Sequence, residues 1–411
     1  MKVLSTTALA LLMAAGAQAQ EGCGIEAGSV RILSNDFEAL RAVSDRAMQC
    51  ATDAVTVTAN ATTEHQQIQV PALTANPSEY TVAMVANDSI VALLNDDLIR
   101  PLDDLVAEHG QGLAPSQLIR IDGETVAIAF MANAQHLAYR RDVLEQAGIA
   151  EAPTSYEDVL AAAEATRAAG VMDTPLVANN KVGWDLAQEF VNMYLGFGGE
   201  FFEPGTPNLA LDPARAVPAL EMMRALAAYM PPDNLSLDST ASSAAYSQGQ
   251  AALTNMWGSR TGSFLDPAQS DPEVVENTVL APAPTVGGGA IPASTIWWDG
   301  FTIARNVSDE DAEASFRAMV HGMGAGSDPA NADLAAWLVP GYEPTPAVVG
   351  VLETARAGAK PYPMVPWMGL LHTALGNELA DFMQGGEGAE QALADVKAAY
   401  DASAREQGFM Q

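Results

Sequence analysis

The chain has 411 residues, 49% of them hydrophobic, and its 51 Asp and Glu against 19 Lys and Arg give a formal net charge of −32 at pH 7. The apolar share can bury a core and the length accommodates two domains, which excludes a disordered chain. So negative a surface repels nucleic acid and anionic membranes and excludes both as partners.

Lys2, an apolar run over residues 8–15 and the small-residue site Ala17-Gln18-Ala19 form the pattern of a secretory signal peptide. It spans residues 1–19, with the mature chain starting near Gln20. Gln20, Glu21 and Gly22 separate that run from Cys23, which argues against lipid attachment. No later run reaches the roughly 18 apolar residues of a membrane span. An exported, soluble, periplasmic product is expected. Cys23 and Cys50 are the only cysteines. In an oxidising compartment they read as a disulfide, because a strand at 30–34 and a helix at 37–48 would run antiparallel and bring them to one end. Two free thiols are the alternative.

Strands are predicted at 30–34, 55–58 and 80–85, each running into polar residues: Asn35 and Asp36, then Glu64 and His65 at the start of a helix, then Asn87 and Asp88. Polar side chains after strand ends are where open α/β sheets take ligands. Val126, Ile128 and Phe130 predict a buried strand that gives way to a polar, Ala-rich crossing carrying Asn133 and Gln135; Leu137 and Tyr139 resume it. A single long strand with two surface amides is the plain alternative. A short helix follows and ends at Gly148. Thr154 and Glu157 predict a capping box for a helix reaching Arg167. A strand at 176–177 then leads to Trp184, and a helix runs to Tyr194. Further helices are predicted at 213–230, 309–319, 367–383 and 389–404, with strands entering Trp257 and containing Trp297 and Trp298.

The order Tyr139, Arg140, Arg141, Asp142, Val143, Leu144, Gly148, followed by Pro153-Thr154-Ser155-Tyr156, resembles the hinge-and-helix signature of the extracellular solute-binding proteins of ABC importers. The similarity is to the sugar-binding family that includes maltose-binding protein. Residues 98–103 are similar to a Leu-rich, Pro-Leu-Asp passage of that family, with Asp97 in place of its usual glycine. Gly198-Gly199, the stretch 246–253 and the strand 297–304 resemble further family passages in order, the last usually with one aromatic instead of a Trp pair. The resemblance implies an α/β, two-lobed periplasmic-binding fold with three hinge crossovers, near 131–136, 297–302 and 338–345. Lobe one would take residues 20–132 and 301–340, and lobe two 133–300 and 341–411. It further implies a monomeric receptor, without cofactor or metal, that binds a sugar, small oligosaccharide or polyol between the lobes. The receptor would deliver that ligand to the membrane permease subunits of an ABC importer.

Sugar sites need flat aromatic faces for C–H surface and planar polar groups for hydroxyls. The six tryptophans are Trp184, Trp257, Trp297, Trp298, Trp337 and Trp367. Trp257 and Trp298 are the expected platforms, Trp184 and Trp367 are further candidates, and Trp337 is expected in the core. Asn35, Asp36, Glu64, His65, Asn87, Asp88, Asn133, Gln135, Arg260 and Asp299 are the polar candidates. Any one of them taken singly reads as a turn or cap; their recurrence at strand ends favours a cleft. Arg260, close to Trp257 in sequence, could fork onto two hydroxyls or pair with an acidic sugar. Metalloprotease, nucleophile-elbow and P-loop motifs are absent, and the five histidines lack metal-like spacing. A secreted glycoside-active enzyme with a carboxylate pair stays open as the alternative.

Overall fold

The computed structural model describes residues 21–411, so the expected signal peptide lies outside the described residues. In chain order the strands are β1 (Gly28–Ser34), β2 (Val55–Ala61), β3 (Val82–Ala86), β4 (Leu118–Ile121), β5 (Glu124–Arg140) and β6 (Leu176–Val177). After these come β7 (Leu253–Trp257), β8 (Thr278–Ala281), β9 (Thr295–Ile303), β10 (Ala336–Trp337) and β11 (Lys360–Pro361). The main ladder runs β2-β1-β3-β9-β5-β7-β6. β1 is parallel to β2 and β3, whereas β9 runs antiparallel to β3 and β5.

Two hydrophobic cores share this ladder. One gathers Val30, Ile32, Val82, Phe130, Phe301 and Phe316. The other gathers Leu137, Phe190, Tyr194, Leu253, Leu375 and Tyr400. The long strand β5 joins them. Its 17 residues span about 55 Å, and Thr125–Arg140 are buried except Ala132. A strand covered on both faces is filled mainly by small or apolar residues, as this run supplies from Val126 to Met131. The expected interruption at Asn133 and Gln135 is absent, and the two amides are buried, not at the surface. The crossing lies instead in a change of partner: β5 pairs with β9 as far as Ala134 and with β7 from Gln135 onward.

Gly300 lets β9 approach β5 closely, since a Cβ there would meet the Ile128 carbonyl and the Ala129 backbone. The third connection follows β10, which pairs with Met131 and Ala132 of β5. From there the chain reaches the helix Val349–Arg356 through a small cluster of Ala134, Ala336, Val348 and Val351. Trp337 is buried as expected and lies in β10.

Local chemistry accounts for several family-like positions. Asp97 adopts the left-handed conformation that the usual glycine would take, at φ 56°, which Asp tolerates better than most residues. Its carboxylate pairs with Arg305 at 2.6 Å. Arg140 is buried and grips both carboxylate oxygens of Asp142, at 2.8 and 2.6 Å, which ties the end of β5 to its following helix. The capping box forms one residue later than expected, between Ser155 and Asp158. Cys23 and Cys50 are disulfide-bonded, tying the short turn Glu21–Gly24 to the end of the helix Glu38–Met48. No helix of the described residues is long and apolar enough to cross a membrane.

Candidate functional site

A cleft of about 560 Å³ opens between the two cores, within the usual range for small-molecule sites. Its first wall comes from the ends of β1, β2 and β3 and the residues that follow them: Asn35, Glu64, His65, Gln66 and Asp88. The opposite wall carries Lys181, Trp184, Asp185, Asp238, Trp257, Ser259 and Arg260. Asn133 of β5 and Trp297 and Asp299 of β9 lie between the walls.

The indoles of Trp184, Trp257 and Trp297 pack on one another with centroids 5.7–6.2 Å apart. They form one continuous wall, not three separate platforms. Trp257 and Trp297 are only 9% and 4% exposed, which leaves half-buried Trp184 as the main open face. Gly183, at φ 104°, turns the chain into the helix Trp184–Gly196 and donates its N–H to the Gly376 carbonyl. His372 holds the Trp184 carbonyl, 3.0 Å from its Nε2, and its Nδ1 meets the Tyr362 hydroxyl at 2.9 Å. The Trp184 Nε1–H reaches across the cleft to donate to Asp88 Oδ2 at 2.9 Å.

Asp88 caps the helix Ser89–Asn95, with Oδ1 accepting from the Ser89 N–H at 2.7 Å. Gln66 Nε2 also donates to its Oδ2 at 3.0 Å. Asp299 sits opposite Ala86 in the β3–β9 ladder, two residues short of Asp88, so both carboxylates emerge at the same end. Burial, then the Asp88 charge, pushes the Asp299 carboxyl up to about 7. Among the described residues its side chain has neither a hydrogen bond nor an ion pair. His65 is buried, its Nδ1 has no hydrogen-bond partner among the described residues, and burial lowers its pKa against the pull of Asp88. At the other end Lys181 pairs with Asp238 at 3.3 Å. Burial and the Asp238 charge push the Asp185 carboxyl up to about 7. Burial lowers the half-buried Arg260 guanidinium against the attraction of Asp238 and Asp185.

Nine of the expected residues thus line the cleft: Asn35, Glu64, His65, Asp88, Asn133, Trp184, Trp257, Arg260 and Asp299. The other five lie elsewhere. Asp36 pairs with Arg41 at 2.6 Å, half open to solvent. Asn87 is buried and accepts the Trp298 backbone N–H at 2.8 Å. Trp298 packs half-buried on the first core, and Trp367 on the second beside Phe202 and Phe409. Gln135 is sealed into an interior network, donating to Glu189 at 2.9 Å and accepting from Asn192 and Asn255. Strand alternation carried a usable signal here. Residues adjacent on β9 face opposite sides, so choosing Asp299 implied Trp297, not Trp298. Asp185 and Asp238 had no comparable signal, since they reach the cleft from a helix start and a cap.

The one grouping of potential metal ligands among the described residues is Cys23, Cys50 and His321. It rests on disulfide sulfurs, which offer no thiolate.

The chain is similar to three solved structures that share its fold. A solute-binding protein of an ABC transporter from Agrobacterium radiobacter K84, in complex with ribitol, is 20% identical with a TM-score of 0.75, covering 90% of this chain and 97% of that one. The maltose-bound MalE3 of T. maritima is 18% identical, TM-score 0.74, covering 91% and 99%. A solute-binding protein from Agrobacterium vitis S4 with bound D-mannitol is 16% identical, TM-score 0.73, covering 93% and 99%. No curated protein matches the chain in sequence. The family model for bacterial extracellular solute-binding proteins matches residues 35–319. That match takes in both walls of the cleft and the strands between them, and the chain belongs to this family.

Proposed function

We propose that this protein is the receptor of an ABC importer and captures a sugar, small oligosaccharide or polyol between its lobes without chemical turnover. The observation that carries the reading is the cleft itself: an indole wall headed by Trp184 faces a wall of carboxylates and amides. An indole face covers the C–H side of a hydroxylated carbon chain while planar polar groups take its hydroxyls. Structural relatives at low identity hold ribitol, maltose and D-mannitol, which makes these the first compounds to try. The lobes of this reading are residues 20–132 with 301–340 and residues 133–300 with 341–411. They close about β5, β9 and the segment after β10. Export to the periplasm after cleavage near Ala19, function as a monomer and delivery to permease subunits belong to the same proposal.

A thermal-shift screen of sugars and polyols tests it. A ligand at 100 times its Kd should stabilise the protein by about 2.7 kcal/mol, and the mass of the compound should be unchanged after incubation. Silence across the screen would remove the carbohydrate reading, and cleavage of a bound oligosaccharide would replace it with the glycoside-active alternative.

A further inference from the structure

The charges in the cleft are not evenly matched. Among the described residues Lys181 and Arg260 are the Lys and Arg side chains that line it, and both lie at the end that holds Asp185 and Asp238. Asp88 and Asp299 lie at the opposite end, and among the described residues no Lys, Arg or charged partner comes within ion-pair distance of either. Asp88 is held only by neutral donors, the Trp184 indole, the Gln66 amide and the Ser89 backbone. Asp299 has no donor at all among the described residues. A second observation marks the same end: His65 is 8% exposed, lines the cleft, and keeps a buried Nδ1 without a hydrogen-bond partner among the described residues. An imidazole held neutral by burial brings no positive charge to the pair. Above pH 7, where Asp299 is mostly ionised, this end therefore offers acceptors and negative charge in excess of donors, beside an aromatic face.

A neutral sugar hydroxyl can donate one hydrogen bond to these carboxylates, but it brings no positive charge to offset theirs. An ammonium group brings three donors, no acceptor and the missing charge, and it gains further from the face of a tryptophan. We propose that the ligand of this cleft is a carbohydrate or polyol bearing a protonated amine, its ammonium directed to the Asp88–Asp299 end and its carbon skeleton against Trp184. This rests on the carbohydrate-receptor reading and names the ligand class within it.

Matched pairs that differ only in the amine provide the test. The wild-type protein is titrated calorimetrically at pH 7.5 with glucamine against sorbitol, glucosamine against glucose, and the glucosamine disaccharide against cellobiose. The expected result is at least tenfold tighter binding of the amine in one or more pairs, with that advantage shrinking as salt rises from 20 to about 300 mM. Asp299→Asn should bring the ratio of amine to neutral affinity down to about one, whatever it does to the neutral member's own affinity, and a ratio that stays at tenfold would overturn the proposal. The salt series on wild-type protein reads the same charge effect if the variant fails to fold. Neutral members binding as tightly as the amines would overturn the ammonium proposal and leave the carbohydrate reading standing. No binding of either member in any pair, together with silence in the wider sugar and polyol screen, would overturn both.

Discussion

Trp257→Ala separates wall from core. From sequence this residue reads as a platform whose loss should cost ligand affinity and little stability. In the structure it is 9% exposed and belongs to the second core, with the rings of Trp184 and Trp297 at 6.2 and 5.7 Å. Neither neighbour is free to collapse into the space: Trp297 is pinned by the β5–β9 ladder and Trp184 by its Asp88 and His372 contacts. Truncation should therefore cost about 3–5 kcal/mol of folding stability. Direct contact with ligand is limited to about a tenth of the ring, worth about 0.5 kcal/mol by area. Trp184→Ala should show the reverse order, a loss of binding of about 2 kcal/mol or more with the smaller loss of stability. Urea unfolding and calorimetric titration of both variants, with whichever carbohydrate the screen identifies, give the four numbers needed. An unchanged unfolding midpoint for Trp257→Ala, with binding reduced tenfold or more, would refute the burial argument.

Trp184→Phe keeps the aromatic face and deletes the N–H that reaches Asp88 across the cleft; the unliganded protein should expand in solution scattering, and an unchanged radius of gyration would show that this bond does not hold the lobes. Alkylation without reductant should label neither Cys23 nor Cys50, and replacing both by Ala should cost about 3.5 kcal/mol in the chain-entropy estimate for the 27-residue separation; stoichiometric labelling of the folded protein would contradict the bond. Burial raises Asp185 and Asp299 to about 7 and Glu189 to about 8. Each is raised above its unfolded value, so the unfolded chain releases these protons first as pH climbs, and the stability they contribute is full below about pH 4 and lost progressively up to about pH 8. Urea unfolding should accordingly show lower stability at pH 9 than at pH 6, and Glu189→Gln should flatten that difference.

Much of the architecture was legible in the residues. Strand ends at Asn35, Glu64 and Asp88 were marked by a change from apolar to polar side chains, and these three line one wall. Gly148, Gly198 and Gly183 all take positive φ in the structure; the first two mark turns visible in sequence, and Gly183 was not singled out. The capping box slipped by one residue because Thr154, Ser155, Glu157 and Asp158 are all competent partners, and local chemistry does not rank them.

By itself the sequence determined the type and order of the main strands and helices and the polar strand ends, because these depend on periodicity, backbone preference and neighbours a few residues away. Tertiary structure decided which of the polar and aromatic residues share the cleft. Asn133 and Gln135 have the same parity on one strand, yet Asn133 lines the cleft while Gln135 is sealed beneath the helix Trp184–Gly196. β5 changes partners between them, and what covers each face depends on segments more than fifty residues away. The same holds for charge: Asp185 and Asp238 are ordinary in sequence, and only the packing of distant elements sets them beside Arg260 and leaves Asp88 and Asp299 without a counter-ion among the described residues.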